Sequence, residues 1–260
     1  MAGLYDKQAE LYSQFRPTYP PEWYATFAGL TTRRALAWDV ATGNGQAAVG
    51  LAEHYERVTA TDISTAQLEH AMQHSRIHYL HTPSTLSDDE LVSMVGGESS
   101  VDLITVAQAI HWFDLPRFYA VANRVLRKPG GVIAVWGYND MLVCPAVDAA
   151  GKRWYETTQQ YWRPELRPFF GGYRTLAFPF ESVGMGEEGN PVEVEMVKEL
   201  SFDQYLGMMR SWSAVRMAMD EGIDLLSEAA VKELTAVWGG ANLVRTVVYK
   251  GMMLAGKVKC

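Results

Sequence analysis

Short apolar runs alternate with helically spaced apolar positions through the first half of the chain. Ala35 to Ala41, Arg57 to Thr61, Ile77 to Leu80, Val101 to Val106 and Val132 to Gly137 each read as a strand. Strands four and five are nearly all apolar, the pattern of strands covered on both sheet faces. Between them lie helical segments. Gly45 to His54 keeps Ala48, Leu51 and Ala52 on one face. Ser64 to Gln73 opens on an N-cap serine, and Ser87-Asp88-Asp89-Glu90 is a capping box for a helix that ends at Gly96-Gly97. Leu115 to Leu126 starts after Asp114, and Lys128-Pro129-Gly130-Gly131 turns into strand five. This alternation predicts an α/β chain with a doubly wound, mostly parallel sheet.

The rhythm changes after residue 138. Residues 141–189 hold glycines, prolines and aromatics without a clean strand, which reads as a helix and irregular structure, and residues 139–190 form an inserted cap over the sheet. Val192 to Leu200 alternates as a sixth strand, Phe202 to Met219 and Asp224 to Trp238 read as helices, and Arg245 to Val258 as a last strand. The late strand-helix-strand order predicts seven strands with one reversed at the sheet edge. No repeat or low-complexity linker divides the chain, so residues 1–260 read as one domain.

Composition narrows the partners. The net charge is −7, which argues against a broad nucleic-acid footprint. No apolar run is long enough for a membrane span. Met1 to Phe15 carries Asp6, Lys7 and Glu10 and has no signal-peptide core. Two cysteines, Cys144 and Cys260, are too few for a disulfide framework, so a reducing, cytoplasmic setting is expected. The composition leaves the oligomeric state open.

The chemistry concentrates at residues 36–62. The first strand carries Asp39 and runs into Ala41-Thr42-Gly43-Asn44-Gly45, and the second ends in Asp62. Glycines let backbone approach a ligand, and an acid ending the second strand can accept hydrogen bonds from ribose hydroxyls. Two cofactors fit this turn. Gly43-x-Gly45-x-x-Ala48 satisfies a relaxed NAD fingerprint. Asp39 four residues before Gly43 suits instead S-adenosylmethionine, which carries an α-ammonium in place of a pyrophosphate.

Further motifs favour the second. Asp39-x-Ala41-x-Gly43-x-Gly45 resembles motif I of the class I S-adenosylmethionine (SAM) methyltransferases. Asp102 to Asp114, with Ala107-Gln108-Ala109-Ile110-His111-Trp112, resembles their motif IV, and Lys128-Pro129-Gly130-Gly131 their turn before strand five. Tyr12-x-x-x-Arg16-Pro17-x-Tyr19-Pro20 is similar to the segment over the cofactor in the small-molecule subgroup related to trans-aconitate methyltransferases. The resemblance covers about residues 1–140 and implies a Rossmann-like fold, SAM as cofactor and a small-molecule acceptor. Two positions depart from the pattern: Ala41 stands where a glycine is usual, and Gln46 where threonine or glycine is common.

In this frame Asp39, Ala41, Gly43 and Gly45 shape the cofactor turn and Asp62 takes the ribose. Ile63 packs on the adenine, Thr82 reaches its edge, and Ala107 and Gln108 pass near the methionine part. Arg16 suits the SAM carboxylate and Tyr12 covers the site, which implies an N-terminal lid over residues 1–30. Each has an ordinary alternative as a turn, cap, core or surface residue. His111 and Trp112 follow strand four, where acceptors approach in this fold, and His111 is a candidate general base or a pocket-shaping histidine. Tyr161, Arg163, Arg167, Arg174, Arg210 and Trp212 lie in a tail rich in aromatics and arginines, a composition suited to a small organic acid. No metal is expected: His70, His74, His78 and His81 span a helix, a turn and a strand. The Asn/Asp-Pro-Pro-aromatic motif of base-methylating enzymes is absent after strand four. O-methylation of a carboxylic acid leads the candidate reactions. Transfer to a hydroxyl or amine, and SAM sensing without transfer, remain alternatives.

Overall fold

The computed structural model describes residues 9–258. In chain order the elements are α1 (Ala9–Phe15), α2 (Pro21–Gly29), β1 (Leu36–Val40), α3 (Gln46–Ala52), β2 (Arg57–Asp62), α4 (Thr65–Glu69), β3 (Ile77–His81), α5 (Asp88–Val95), β4 (Leu103–Ala107), α6 (Leu115–Val125) and β5 (Val132–Leu142). There follow α7 (Pro145–Thr158), α8 (Arg167–Phe170), β6 (Glu181–Met185), β7 (Val192–Ser201), α9 (Phe202–Arg210), α10 (Ser213–Asp220), α11 (Glu228–Trp238) and β8 (Val244–Lys257).

The strands form one sheet in the order β3-β2-β1-β4-β5-β8-β6, with β7 also on β8. The first five strands are parallel, and β8 runs antiparallel to β5, β6 and β7. The apolar runs are explained by alternation across a doubly covered sheet. In β5, Val132, Ala134 and Trp136 join the core shared with Phe27, Leu51 and Trp238. Ile133 and Val135 join the opposite core, with Val92, Val121 and Val125. At the strand starts, buried Asp102 accepts the backbone N–H groups of Ala35 (2.8 Å) and Leu36 (3.0 Å) and pairs with Arg127. This acid of the motif IV stretch therefore fastens the sheet at the end away from the strand tips.

Several elements differ from the sequence pattern. Strand β6 is an eighth strand that the pattern lacks; it is short, contains Gly184 and pairs only with the end of β8. Strand β5 continues past Gly137 because β8 pairs with it out to Leu142. The helix expected over Ser64 to Gln73 stops at Glu69, and Met72 N–H instead donates to Asn44 O (3.0 Å) in the turn after β1. The helix expected from Phe202 to Met219 breaks at Ser211-Trp212. Ser211 Oγ donates to Met208 O (2.6 Å), and Trp212 takes extended backbone before α10.

Candidate active site

The chain reverses its order in the sheet between β1 and β4, so a crevice opens beyond their carboxyl ends. Each of these strands ends in a left-handed non-glycine residue, Ala41 (φ 53°) after β1 and Gln108 (φ 60°) after β4. Both line one cavity, together with Gly43, Asp62, Ile63 and Ala107. Two adjacent strand ends thus hold backbone in a costly region at the same site, a pattern found where a ligand or a reaction needs it.

Asp62 organises the turn. Its Oδ2 accepts the Gly43 N–H and its Oδ1 the Ser64 N–H, both at 2.8 Å. Both carboxylate oxygens therefore hold the turn in place beside the cavity. Asp39 lies beneath the turn rather than on the cavity wall. Fully buried, it accepts hydroxyls from Thr105 of β4 (2.6 Å) and Thr42 (2.5 Å). Burial pushes its carboxyl up to about 6, against the pull of those hydroxyls, and nearby Asp62 raises it further. Asp39 therefore ties the turn after β1 to β4.

Gly45 and Thr82, expected at the cofactor, do not line the cavity. Gly45 (φ 84°) makes room for Tyr79 of β3, since a Cβ there would fall 2.1 Å from the Tyr79 hydroxyl. Thr82 donates its backbone N–H to Asp62 O (2.9 Å) and so braces the acid from behind. Ser64, Gln67 and Tyr138 line the cavity and were missed. Tyr138 lies in β5 two residues past Trp136, the last β5 residue paired with β4, and so beside the crevice. The Gln108 side chain donates to its carbonyl at 3.0 Å.

Tyr12 and Arg16 cover one side. The Arg16 guanidinium lies over the Tyr12 ring (4.8 Å) and donates to Ser211 O (3.0 Å), while its carbonyl accepts from Gln46 Nε2 (3.2 Å). Gln46, the departure in motif I, thus fastens the N-terminal segment to the start of α3. Arg16 is the one cationic side chain lining the cavity among the described residues.

The far side is aromatic. Tyr155 and Trp162 pack together (ring centroids 6.2 Å), flanked by Phe170 (6.3 and 5.1 Å) and Trp212 (6.0 and 5.8 Å). Phe169, Trp112, Leu166, Met141 and Met208 extend this apolar lobe. The break after α9 is what places Trp212 there. The expected arginine anchors are elsewhere: Arg163, Arg167, Arg174 and Arg210 do not line the cavity, and Arg167, Arg174 and Arg210 are exposed. Arg174 pairs with Glu193 at 2.8 Å. Tyr161 is buried against Ala214 and Ala218, off the cavity.

His111 lies in the helical turn Ile110–Trp112, with Phe169 and Trp112 at 5.1 Å ring to ring. Its Nδ1 is 3.1 Å from the Tyr173 hydroxyl. Burial pushes its pKa down to about 3. Burial favours the neutral imidazole and weakens it as a proton acceptor.

Known proteins resemble the chain at every level. Residues 38–135 match the methyltransferase-domain family. A Dictyostelium discoideum protein described as a methyltransferase is 33% identical over 242 residues, 90% of this chain and 87% of that one. The chain belongs to the SAM-dependent methyltransferases. A solved Anaeromyxobacter dehalogenans structure, described as a type II methyltransferase, superposes with TM-score 0.79 at 36% identity, covering 94% of this chain and 98% of that one. A Saccharomyces cerevisiae protein described as a SAM-dependent methyltransferase is 29% identical over 49% of this chain and 44% of its own length. The enzyme therefore uses SAM. The turn fits it: Asp62 brings a carboxylate to the cavity, and Ala41, Gly43 and Ile63 form the adjoining wall. Among the described residues no helix is long and apolar enough to cross a membrane.

Proposed function

We propose that the enzyme methylates a carboxylate oxygen of a small organic acid with an apolar or aromatic body. One observation carries this reading: the far lobe of the cavity is aromatic, and the one histidine that lines it among the described residues is part-buried, which disfavours its taking a proton. Its titratable side chains are Tyr12, Arg16, Asp62, His111, Tyr138 and Tyr155. Burial disfavours protonation of His111 and ionisation of Tyr138 and Tyr155. Asp62 is committed to the turn. A carboxylate needs no base, because it is ionised at neutral pH. The aromatic lobe suits its body better than a polar pocket would, and the acid class agrees with the resemblance to trans-aconitate methyltransferases in residues 12–20.

In this reading Asp62 takes the ribose hydroxyls, Ile63 packs on the adenine, and Arg16 faces the SAM carboxylate. Bound SAM supplies a methyl carbon on a positively charged sulfur. The chain's residues orient the acid for in-line attack and exclude water. Transfer of that methyl to an acid already ionised would require no proton to be moved by these residues. Residues 1–30 act as a lid and residues 139–190 as a cap. Arg16, held by both Gln46 and Ser211, supports a lid that joins the cofactor turn to the acceptor wall.

Methyl-labelled SAM offered with aromatic and aliphatic acids, phenols and amines tests the acceptor class. Alkali-labile label on acids is expected. Label confined to phenols or amines overturns the carboxylate reading.

A further inference from the structure

The His111–Tyr173 contact is left unexplained by a mechanism without a base. Tyr173 is fully buried, yet it has φ 58°, a conformation that a bulky side chain adopts only when its surroundings impose it. The turn Pro168 to Leu176 imposes it: Tyr173 N–H donates to Pro168 O (2.8 Å), and Leu176 N–H donates to Tyr173 O (3.1 Å). The result is a phenol hydroxyl 3.1 Å from His111 Nδ1, under a ring packed 6.0 Å from Phe169. His111 itself lines the cavity, and its Nε2 has no protein partner among the described residues.

We propose that Tyr173 is a positioning residue: its hydroxyl donates to His111 Nδ1 and fixes the Nε2–H tautomer, which presents an N–H donor to the anionic end of the acceptor. A neutral imidazole has one donor and one acceptor nitrogen, so a donor on Nδ1 leaves the proton on Nε2. An Nε2 lone pair would repel a carboxylate, whereas an N–H holds it. The inference rests on the carboxylate reading for the identity of the ligand, but the tautomer can be observed without any acceptor.

Long-range proton–nitrogen correlation on the full chain with labelled histidine reads the tautomer, with His111→Gln assigning the signals. The wild type is expected to show His111 as Nε2–H. Tyr173→Phe is expected to give mixed tautomers with an unchanged circular-dichroism spectrum. An Nδ1–H tautomer in the wild type overturns the proposal, whether or not Tyr173→Phe folds. So does a tautomer that Tyr173→Phe leaves unchanged.

Kinetics supply the second readout. Tyr173→Phe is expected to raise the acid's KM about three- to tenfold, the worth of one neutral hydrogen bond, and to leave the KM for SAM unchanged. His111→Gln, which keeps an N–H donor, is expected to retain more activity than His111→Ala, and equal losses contradict the donor role. Failure of every acid as an acceptor, with the Nε2–H tautomer still present, would remove the carboxylate reading and leave the positioning by Tyr173 standing.

Discussion

Phe15 packs against the bare backbone of Gly207: a Cβ at that position would lie 2.2 Å from the Phe15 ring. The contact sets α1 on α9 and leads directly into Arg16, whose guanidinium reaches Ser211 at the end of that helix. Gly207→Ala favours the helix locally by about 1 kcal/mol but forces Phe15 away. The expected result is a KM for SAM raised about tenfold with little change in thermal stability. An unchanged KM would show that α1 does not cover the cofactor.

Asp62→Asn separates charge from shape. Both carboxylate oxygens accept backbone N–H groups, so one of them would face an amide NH2 in the variant. An unsatisfied pair of this kind costs about 1–3 kcal/mol. Calorimetry with S-adenosylhomocysteine should show affinity lower by at least about tenfold. Equal affinity in the variant would place the ribose elsewhere.

Asp39 gives the binding a pH dependence. Its folded-state carboxyl is raised to about 6, above the unfolded value, so its contribution favours the fold at acid pH and is lost as pH rises through about 6. The full penalty above that is roughly 3 kcal/mol. SAM carries a net positive charge and favours the ionised form. Its binding should therefore tighten from about pH 5 to about pH 7.5 and release a proton. S-adenosylhomocysteine, with no net charge, should respond less. Asp39→Asn should flatten the profile and stabilise the ligand-free enzyme at alkaline pH. A wild-type profile already flat across that range would contradict the coupling.

Ala41 holds a left-handed conformation where relatives of this motif have glycine. Such backbone costs an alanine about 1–2 kcal/mol, offset in part because glycine makes the unfolded chain more flexible. Ala41→Gly should therefore leave the melting temperature unchanged or raise it. Ala41→Val should lower stability by at least about 1 kcal/mol, since β-branching worsens the strain. The opposite order would mean that packing of the alanine methyl, rather than backbone strain, dominates there.

The parallel half of the sheet could be read from the chain because β1, β4 and β5 are buried on both faces, which writes continuous apolar runs. The capping box at Ser87 and Glu90 is local chemistry and forms as written. The turn after β1 and the acid at Asp62 were visible for the same reason. What escaped was decided by distant partners. Gly45 leaves room for Tyr79, a neighbour 34 positions on. Arginines within an aromatic segment do not reveal whether they face a cavity or solvent, and four of them turn away. The break at Ser211-Trp212 carries no proline or glycine, so the two helices read as one. Tyr173 meets His111 across 62 positions, a pairing that only the folded chain reveals.

On the proposed reading, the turn after β1 and Asp62 seat SAM with its sulfur facing the aromatic lobe. A crystal structure with S-adenosylhomocysteine tests it most directly. The expected complex has the ribose hydroxyls on Asp62, the adenine against Ile63, and the sulfur open toward His111 and Trp212. A ligand bound away from Asp62, or with its sulfur turned to solvent, would contradict the account.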